Sequence, residues 1–317
     1  MTQTTTNGSG AKYPPSGAKL ERRSDGFLHR TIDTGEVKLH LVEARPANVG
    51  DGPVPDDVPL VVLLHGFPEF WWSWRRQLTA LSAGGFWVVA PDMRGYNESE
   101  KPKSVAAYEI ERLAADVAGV IRGLGRKKAF VVGHDWGAMV AWYFAMNHQE
   151  LLEKLAILNV PHPLQMTRGL RNPKQLMKSW YMFFFQLPFG VPEKVFARND
   201  YRMLRLTFEV DKFPAEEIEQ YVDAMRVPGA ITAAMSYYRA AIRRVVKNRV
   251  PKTVPIEKPV LVLWGDRDRY LGSEMAEPPK RFVPNATVRH FPNATHWIQN
   301  AAPDDVNREL LAFFRAE

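Results

Sequence analysis

Hydrophobic residues along this chain fall in two rhythms. Short unbroken apolar runs at 60–64, 87–90, 129–132, 155–158 and 259–264 alternate with stretches of helical spacing, notably 108–124 and 136–147. Runs without in–out alternation, interleaved with helices, predict a mostly parallel sheet covered on both faces. Residues 287–291 resume the strand pattern, and an amphipathic helix is predicted from about Asp304 to Phe314. Ahead of this block, 27–34 and 37–43 predict two strands joined at Thr34-Gly35-Glu36, a hairpin-type turn. A Pro/Gly/Asp-rich loop follows, from Pro46 to Pro59.

Between Pro161 and Pro251 the rhythm changes. Helical periodicities cover 173–186, 192–196, 201–208, 215–225 and 229–246, with no convincing strand among them. A purely helical segment between two halves of a sheet predicts an inserted cap. The expected organisation is a flexible tail over 1–24, an α/β core over 25–160 and 252–317, and a helical cap over 161–251. A chain of 317 residues is long enough for one such domain with its insertion.

Composition narrows the class little. With 45% hydrophobic and 24% charged residues the chain reads as an ordinary globular protein. Its formal charge of +7 raises the question of nucleic acid. The densest basic group, Arg243, Arg244, Lys247, Arg249 and Lys252, looks like the solvated end of a helix, and no aromatic-interleaved basic motif accompanies it, so nucleic acid is not an expected partner. The absence of cysteine excludes disulfides, thiolate metal sites and a Cys nucleophile. Residues 1–19 lack the apolar stretch of a signal peptide, and no apolar run is long enough to span a bilayer. The expectation is a cytoplasmic protein without a transmembrane segment.

Chemistry concentrates at Gly133-His134-Asp135-Trp136-Gly137, where a predicted strand runs straight into a predicted helix. Glycines two before and two after a central nucleophile are the nucleophile-elbow pattern, here with Asp where Ser is usual. A plain helix N-cap is the competing role for such an Asp. As a nucleophile, Asp carries its own information. Serine attacking an sp³ carbon would leave an ether that water does not readily cleave, whereas a carboxylate leaves an ester that is hydrolysable at its own carbonyl. The elbow therefore predicts attack on an alkyl carbon, with an epoxide oxygen or a halide leaving, and speaks against esterase, lipase and peptidase activity.

Ester hydrolysis needs a base, an orienting acid and an oxyanion site. Of eight histidines, His296 in Ala294-Thr295-His296-Trp297 follows the last predicted strand, where a loop returns to the sheet's C-terminal edge, and is the candidate base. His29, His40, His148, His162 and His290 lie in the hairpin, at a helix end, at the cap start or within a strand, while His65 and His134 sit inside motif turns. Asp266 and Asp268 of Gly265-Asp266-Arg267-Asp268 both follow the preceding strand, and position alone barely separates them as partner of the imidazole. The backbone N–H groups of Phe67, in Leu64-His65-Gly66-Phe67-Pro68-Glu69, and of Trp136 can converge on the Asp135 carbonyl oxygen. Nucleophile, acid, base is the chain order of the α/β-hydrolase fold.

These motifs, with Asp92-Met93-Arg94-Gly95-Tyr96 and the cap wording Ser179-Trp180-Tyr181-Met182-Phe183-Phe184-Phe185-Gln186-Leu187-Pro188, resemble the epoxide hydrolase branch of the α/β-hydrolase superfamily. The resemblance covers nearly everything after the tail and is nearest to the animal-type branch. It implies that the acid is Asp268, twenty-eight positions before His296. It also implies two cap tyrosines on the epoxide oxygen, Tyr181 and Tyr238, with Tyr237 as the alternative to Tyr238. Two phenol O–H donors can polarise the ring C–O bond and protonate the leaving alkoxide. The implied enzyme is cofactor-independent and metal-free, and acts on a small lipophilic epoxide and water. A homodimer and a detoxifying role stay open. The first rival is a haloalkane-type dehalogenase with the same Asp, acid and His, in which N–H donors hold a halide. The second is an inactive hydrolase fold serving as a ligand-binding protein.

Overall fold

The computed structural model describes residues 20–247 and 252–316. Nine strands form one sheet: Glu21–Arg22 (β1), Leu28–Asp33 (β2), Lys38–Ala44 (β3), Leu60–Leu64 (β4), Trp87–Pro91 (β5), Ala129–His134 (β6), Leu152–Leu158 (β7), Val260–Gly265 (β8) and Ala286–Phe291 (β9). They lie in the order β1-β2-β3-β5-β4-β6-β7-β8-β9. The first three are antiparallel, and β3 joins β5 antiparallel through Leu41 opposite Pro91. From β5 to β9 every pairing is parallel. The strands that read as unbroken apolar runs are the ones buried on both faces. Every residue of β4, β5, β6 and β8 is buried, whereas β9 at the edge is only partly covered.

Among the helices are Arg75–Ala83 (α1), Ile110–Gly123 (α2) and Trp136–Asn147 (α3). The cap follows β7, with Pro163–Gly169 (α4), Pro173–Lys178 (α5), Trp180–Phe184 (α6), Val191–Glu209 (α7, two helical pieces that meet at a kink where Arg198, Asn199, Asp200 and Tyr201 leave helical geometry), Ala215–Arg226 (α8) and Ala230–Val246 (α9). Ile298–Ala301 (α10) and Pro303–Arg315 (α11) close the chain. α1 packs against α11 and α2 against α3, which gives the sheet its helical layers. The chain runs from β4 outward to β5 and then returns to β6 on the other side of β4. Such a reversal opens a crevice at the carboxyl ends of the strands. Leu64 pairs with Gly133, His134 with Leu158, Leu158 with Leu263 and Gly265 with Phe291. The loops that follow β4, β6, β7, β8 and β9 therefore leave the same edge of the sheet.

Three expectations need correction. Residues 20–24 are not all tail: Glu21 and Arg22 pair with His29 and Leu28, and Arg23 donates its N–H to the Phe27 carbonyl, so backbone pairing extends the sheet. The rest of the expected tail lies outside the described residues. The single helix over 173–186 is two, broken at Ser179. The apolar run from Leu176 to Leu187 has hardly any polar face, so periodicity could not fix one helix axis there. The basic cluster is not wholly solvated either, since Arg244 is mostly buried and ion-paired with Glu111. Arg249 lies outside the described residues. None of the described helices is long and apolar enough to cross a membrane.

One buried polar knot ties the layers together. Arg94 is 1% exposed, and its guanidinium meets Asp116 of α2 through two bonds of 2.6 Å. Asp116 also accepts from Thr34 Oγ1 in the hairpin, and the Arg94 carbonyl accepts from the Tyr237 hydroxyl in the cap. Removing one partner of a buried ion pair leaves an uncompensated charge, at a cost of about 3–5 kcal/mol. Asp116→Ala should therefore lower the unfolding free energy by about that much in urea titrations. A loss below about 1 kcal/mol would show that Glu36, 3.3 Å from the guanidinium, and the Ala107 carbonyl compensate the charge that Asp116 leaves.

Candidate active site

β6 ends at His134 and α3 begins at Trp136, so a single residue must turn the chain. Asp135 does so with φ +47° and ψ −121°, a conformation few L-residues adopt. Such a backbone costs about 1–3 kcal/mol and persists only where its surroundings enforce it. Here the enforcement is close packing. A Cβ on Gly137 would strike the Leu64 carbonyl, and one on Gly66 would strike the Asp135 side chain. The loop after β4 thus lies directly against the loop after β6. The Asp135 carboxylate makes no capping bond to α3, which removes the N-cap role.

The carboxylate faces two ways instead. Its Oδ1 accepts the backbone N–H of Phe67 at 2.7 Å. Its Oδ2 lies 3.6 Å from His296 Nε2. Trp136, the other expected backbone donor, makes no bond to the carboxylate among the described residues, although its N–H belongs to the first helical turn and has no helical partner. His296, 3% exposed, meets Asp268 Oδ2 through Nδ1 at 2.7 Å. Asp268 also accepts from Asn159 Nδ2 at 2.8 Å and from the N–H groups of Tyr270 and Leu271 at 2.7 and 3.0 Å. Asp266 is turned away, bonded to His290 at 2.6 Å on the exposed side. Geometry thus separates the two carboxylates that position could not.

Burial works against charge on all three central groups, and their mutual contacts overrule it. Desolvation would raise Asp135, but His296, His134 and the Phe67 N–H hold it below the ordinary carboxylate value. Asp268 is likewise lowered against its burial, chiefly by the charge and hydrogen bond of His296. Burial alone would depress His296, yet Asp268 and Asp135 together raise it to about 10. In the resting site the imidazole is therefore an imidazolium between two carboxylates. The arrangement can present one carboxylate oxygen free of any N–H of the main chain, hold the other by the Phe67 N–H, and keep a titratable imidazole ring, protonated at rest, beside both.

The cap closes this edge with aromatic rings. Tyr238 packs edge-on against Trp136, Phe67, Phe185 and Tyr181, with ring centroids 4.9 to 5.8 Å apart. Tyr181 also meets Tyr270, whose ring lies 5.1 Å from His296. Burial first, and then the Asp135 charge, raise both Tyr181 and Tyr238 well above the usual phenol value. Both stay protonated donors through the neutral range. Tyr237 points elsewhere, its hydroxyl spent on the Arg94 carbonyl at 2.7 Å.

Sequence reasoning missed several members of this site. Asn159, at the end of β7 with φ +50°, bonds both Asp268 and the backbone of Gly265. Beneath the elbow, His134 links Glu69, at 2.7 Å, to the backbone carbonyl of His296, at 2.9 Å. Gln299 donates to the other oxygen of Glu69. A side chain that makes two fixed bonds in this way must sit in one orientation, so these groups set the position of the His296 loop. Glu69 and His134 were visible as parts of motifs, but nothing local distinguished Asn159 or Gln299.

Comparison with known proteins agrees with this architecture. Residues 59–302 match the family model of the alpha/beta hydrolase fold. An AB hydrolase superfamily protein of Bacillus subtilis is 37% identical over 92% of this chain and 99% of its own length. Epoxide hydrolase 4 of Mus musculus is 37% identical over 82% of this chain and 74% of its own. Among solved structures, the Bacillus megaterium epoxide hydrolase in complex with an inhibitor superposes with a TM-score of 0.80 at 32% identity, covering 90% of this chain and all of that one.

Proposed function

Because the chain belongs to the epoxide hydrolase branch of the α/β-hydrolase superfamily, we propose that it hydrolyses lipophilic epoxides to vicinal diols through an ester on Asp135. The observation that carries this reading is the pairing of two protonated phenols, Tyr181 and Tyr238, with an elbow carboxylate. Asp135 Oδ2, unbonded except for its contact with His296, attacks an epoxide carbon. The ring C–O bond breaks and the oxygen takes a proton from a cap phenol. Oδ1, already on the Phe67 N–H, becomes the ester carbonyl oxygen. With the Asp135 charge consumed in the ester, the imidazolium gives up its Nε2 proton, which replaces the one lost by the phenol, and water then loses a proton to the freed Nε2 and attacks the Asp135 carbonyl carbon. The negative charge that gathers on Oδ1 is met by the Phe67 N–H, and the Trp136 N–H, which has no helical partner, is proposed as the second donor. The tetrahedral adduct expels the diol oxygen, which takes its proton from the imidazolium, and the Asp135 carboxylic acid that results returns its proton to Nε2, restoring the resting pair. Asp268 keeps Nδ1 protonated throughout and stabilises that imidazolium. The accompanying division is a core of 25–160 and 252–317, extended back to Glu21 by β1, with a cap of 161–251.

The chemistry fixes its own test. In a single turnover in ¹⁸O-water, with enzyme in excess, the diol should carry no solvent label and Asp135 should acquire it. Direct attack by water would label the diol at once and overturn the ester step. A parallel screen of a styrene-type oxide, a fatty-chain epoxide and a bromoalkane tests the leaving group. Halide release without diol formation would assign the site to dehalogenation. Tyr181→Phe and Tyr238→Phe should each lower the alkylation rate, and the double variant should lose about 10²–10⁴-fold, the usual worth of a general acid. Turnover of a bromoalkane, which needs no proton on its leaving group, would not show that loss.

A further inference from the structure

The exposed apolar residues of this protein are not scattered. Of the thirteen large hydrophobic side chains that stand out of the described surface, eight lie within residues 176–195: Leu176, Met177, Trp180, Phe183, Leu187, Phe189, Val191 and Val195. All of the exposed aromatic rings among the thirteen are in that stretch. Trp180 is 53% exposed, Phe183 56% and Phe189 89%. Phe189 is also held at φ +60°, the left-handed region that a bulky side chain occupies at a cost. Among the described residues none covers it to repay that conformation. Scattered surface hydrophobes need no explanation, but a concentrated patch with strained backbone does.

The charges around the patch say what would cover it. From residue 163 to 198 the cap carries six cations, Arg168, Arg171, Lys174, Lys178, Lys194 and Arg198, all exposed. The same span holds one carboxylate, Glu193, and its oxygens are taken by Arg239. A second copy meeting this face would set six cations against six. An anionic surface would meet them with opposite charge. Exposed Trp and Phe interspersed along one short segment with exposed Lys and Arg is the composition of a segment that lies in a bilayer interface.

We propose that this face of the cap docks on an anionic lipid bilayer. The inner side of the same short helix carries Tyr181, so α6 stands between the bilayer and the site. If the reading of the site given above holds, docking brings the enzyme to epoxides dissolved in lipid. The docking itself does not depend on that reading.

The test uses the full chain without substrate. Vesicles containing phosphatidylserine should sediment the protein, and vesicles of phosphatidylcholine alone should do so at least about tenfold more weakly, with binding falling as salt rises. The triple variant Trp180→Ser, Phe183→Ser, Phe189→Ser should lose binding about tenfold or more, as should Lys174→Glu with Lys178→Glu. Both variants should keep the wild-type circular dichroism and activity on a short water-soluble epoxide. Equal binding to both vesicle types would overturn the electrostatic part of the proposal. Absence of binding overturns it altogether. Should the wild type be a dimer that the triple variant dissolves, without vesicle binding, the occupant is a second copy. Should removal of residues 1–19 be required before vesicles bind, the tail is the occupant and the proposal also falls.

Discussion

Asp135→Ala should abolish diol formation, with kcat/KM falling by at least about 10⁴-fold, the range in which loss of a nucleophile leaves only binding and residual polarisation. The size of the effect follows from the absence of a substitute. Asp268 is tied by four hydrogen bonds behind the imidazole and cannot reach the substrate side. His296 faces the same space, but an epoxide carbon bonded to Nε2 would give an N-alkylimidazolium, which water does not hydrolyse as it does an ester, so the ring cannot turn over in its place. The cap tyrosines stay phenols, too weakly nucleophilic to replace a carboxylate. Stability should change little, because the strained turn is enforced by Gly66, Gly137 and the strand ends and not by the carboxylate. Ala is the more decisive substitution, since Asn at this position would place an amide before the same water and base and could be hydrolysed back to Asp. The measurement is a pre-steady-state diol assay alongside thermal unfolding. Turnover within tenfold of wild type in a folded Asp135→Ala protein would remove the ester from the mechanism.

The central sheet was legible because its strands are buried on both faces and so read as unbroken apolar runs. The elbow was legible because close packing between β4 and β6 tolerates only glycine at 66 and 137. What local sequence could not show were contacts made across long separations. Asp266 and Asp268 are near equals in position, and only the return of the chain at His296 tells them apart. Asn159 stands 109 positions before the carboxylate that it bonds, and Gln299 stands 230 after its partner Glu69. The cap was least legible. Its helices are short, its run from Leu176 to Leu187 is apolar on nearly every side, and the break at Ser179 depends on packing that no periodicity records. The two tyrosines were placed by resemblance, and it is the fold that turns Tyr237 away to Arg94 while leaving Tyr238 beside Trp136.

His296→Gln should separate the two halves of the reaction. Alkylation of Asp135 needs an ionised carboxylate and an acid on the epoxide; His296 is not that acid, and the Phe67 N–H still holds the carboxylate when the imidazole is gone, so alkylation should persist, though more slowly. Hydrolysis needs a base, and loss of a positioned general base costs about 10²–10⁴-fold. The variant should therefore consume about one equivalent of epoxide and stop, with the intact mass raised by the whole mass of the substrate. The pH dependence follows from charge. In the resting enzyme two carboxylates hold the imidazole at about 10, so it is protonated at neutral pH. Esterification removes the negative charge of Asp135, one of the two groups that raise it, and the pKa of His296 falls. On the proposed mechanism the ring would become a competent base only after the ester exists. Asp135 itself lies below the ordinary carboxylate value, so the nucleophile stays ionised well into mild acid. In the wild type the alkylation burst should hold steady as pH drops from neutral towards 5, while the steady-state rate falls as the ester-state imidazole protonates. A burst and a steady state that declined together would mean that one titrating group governs both steps, and that the charge lost from Asp135 does not reach His296.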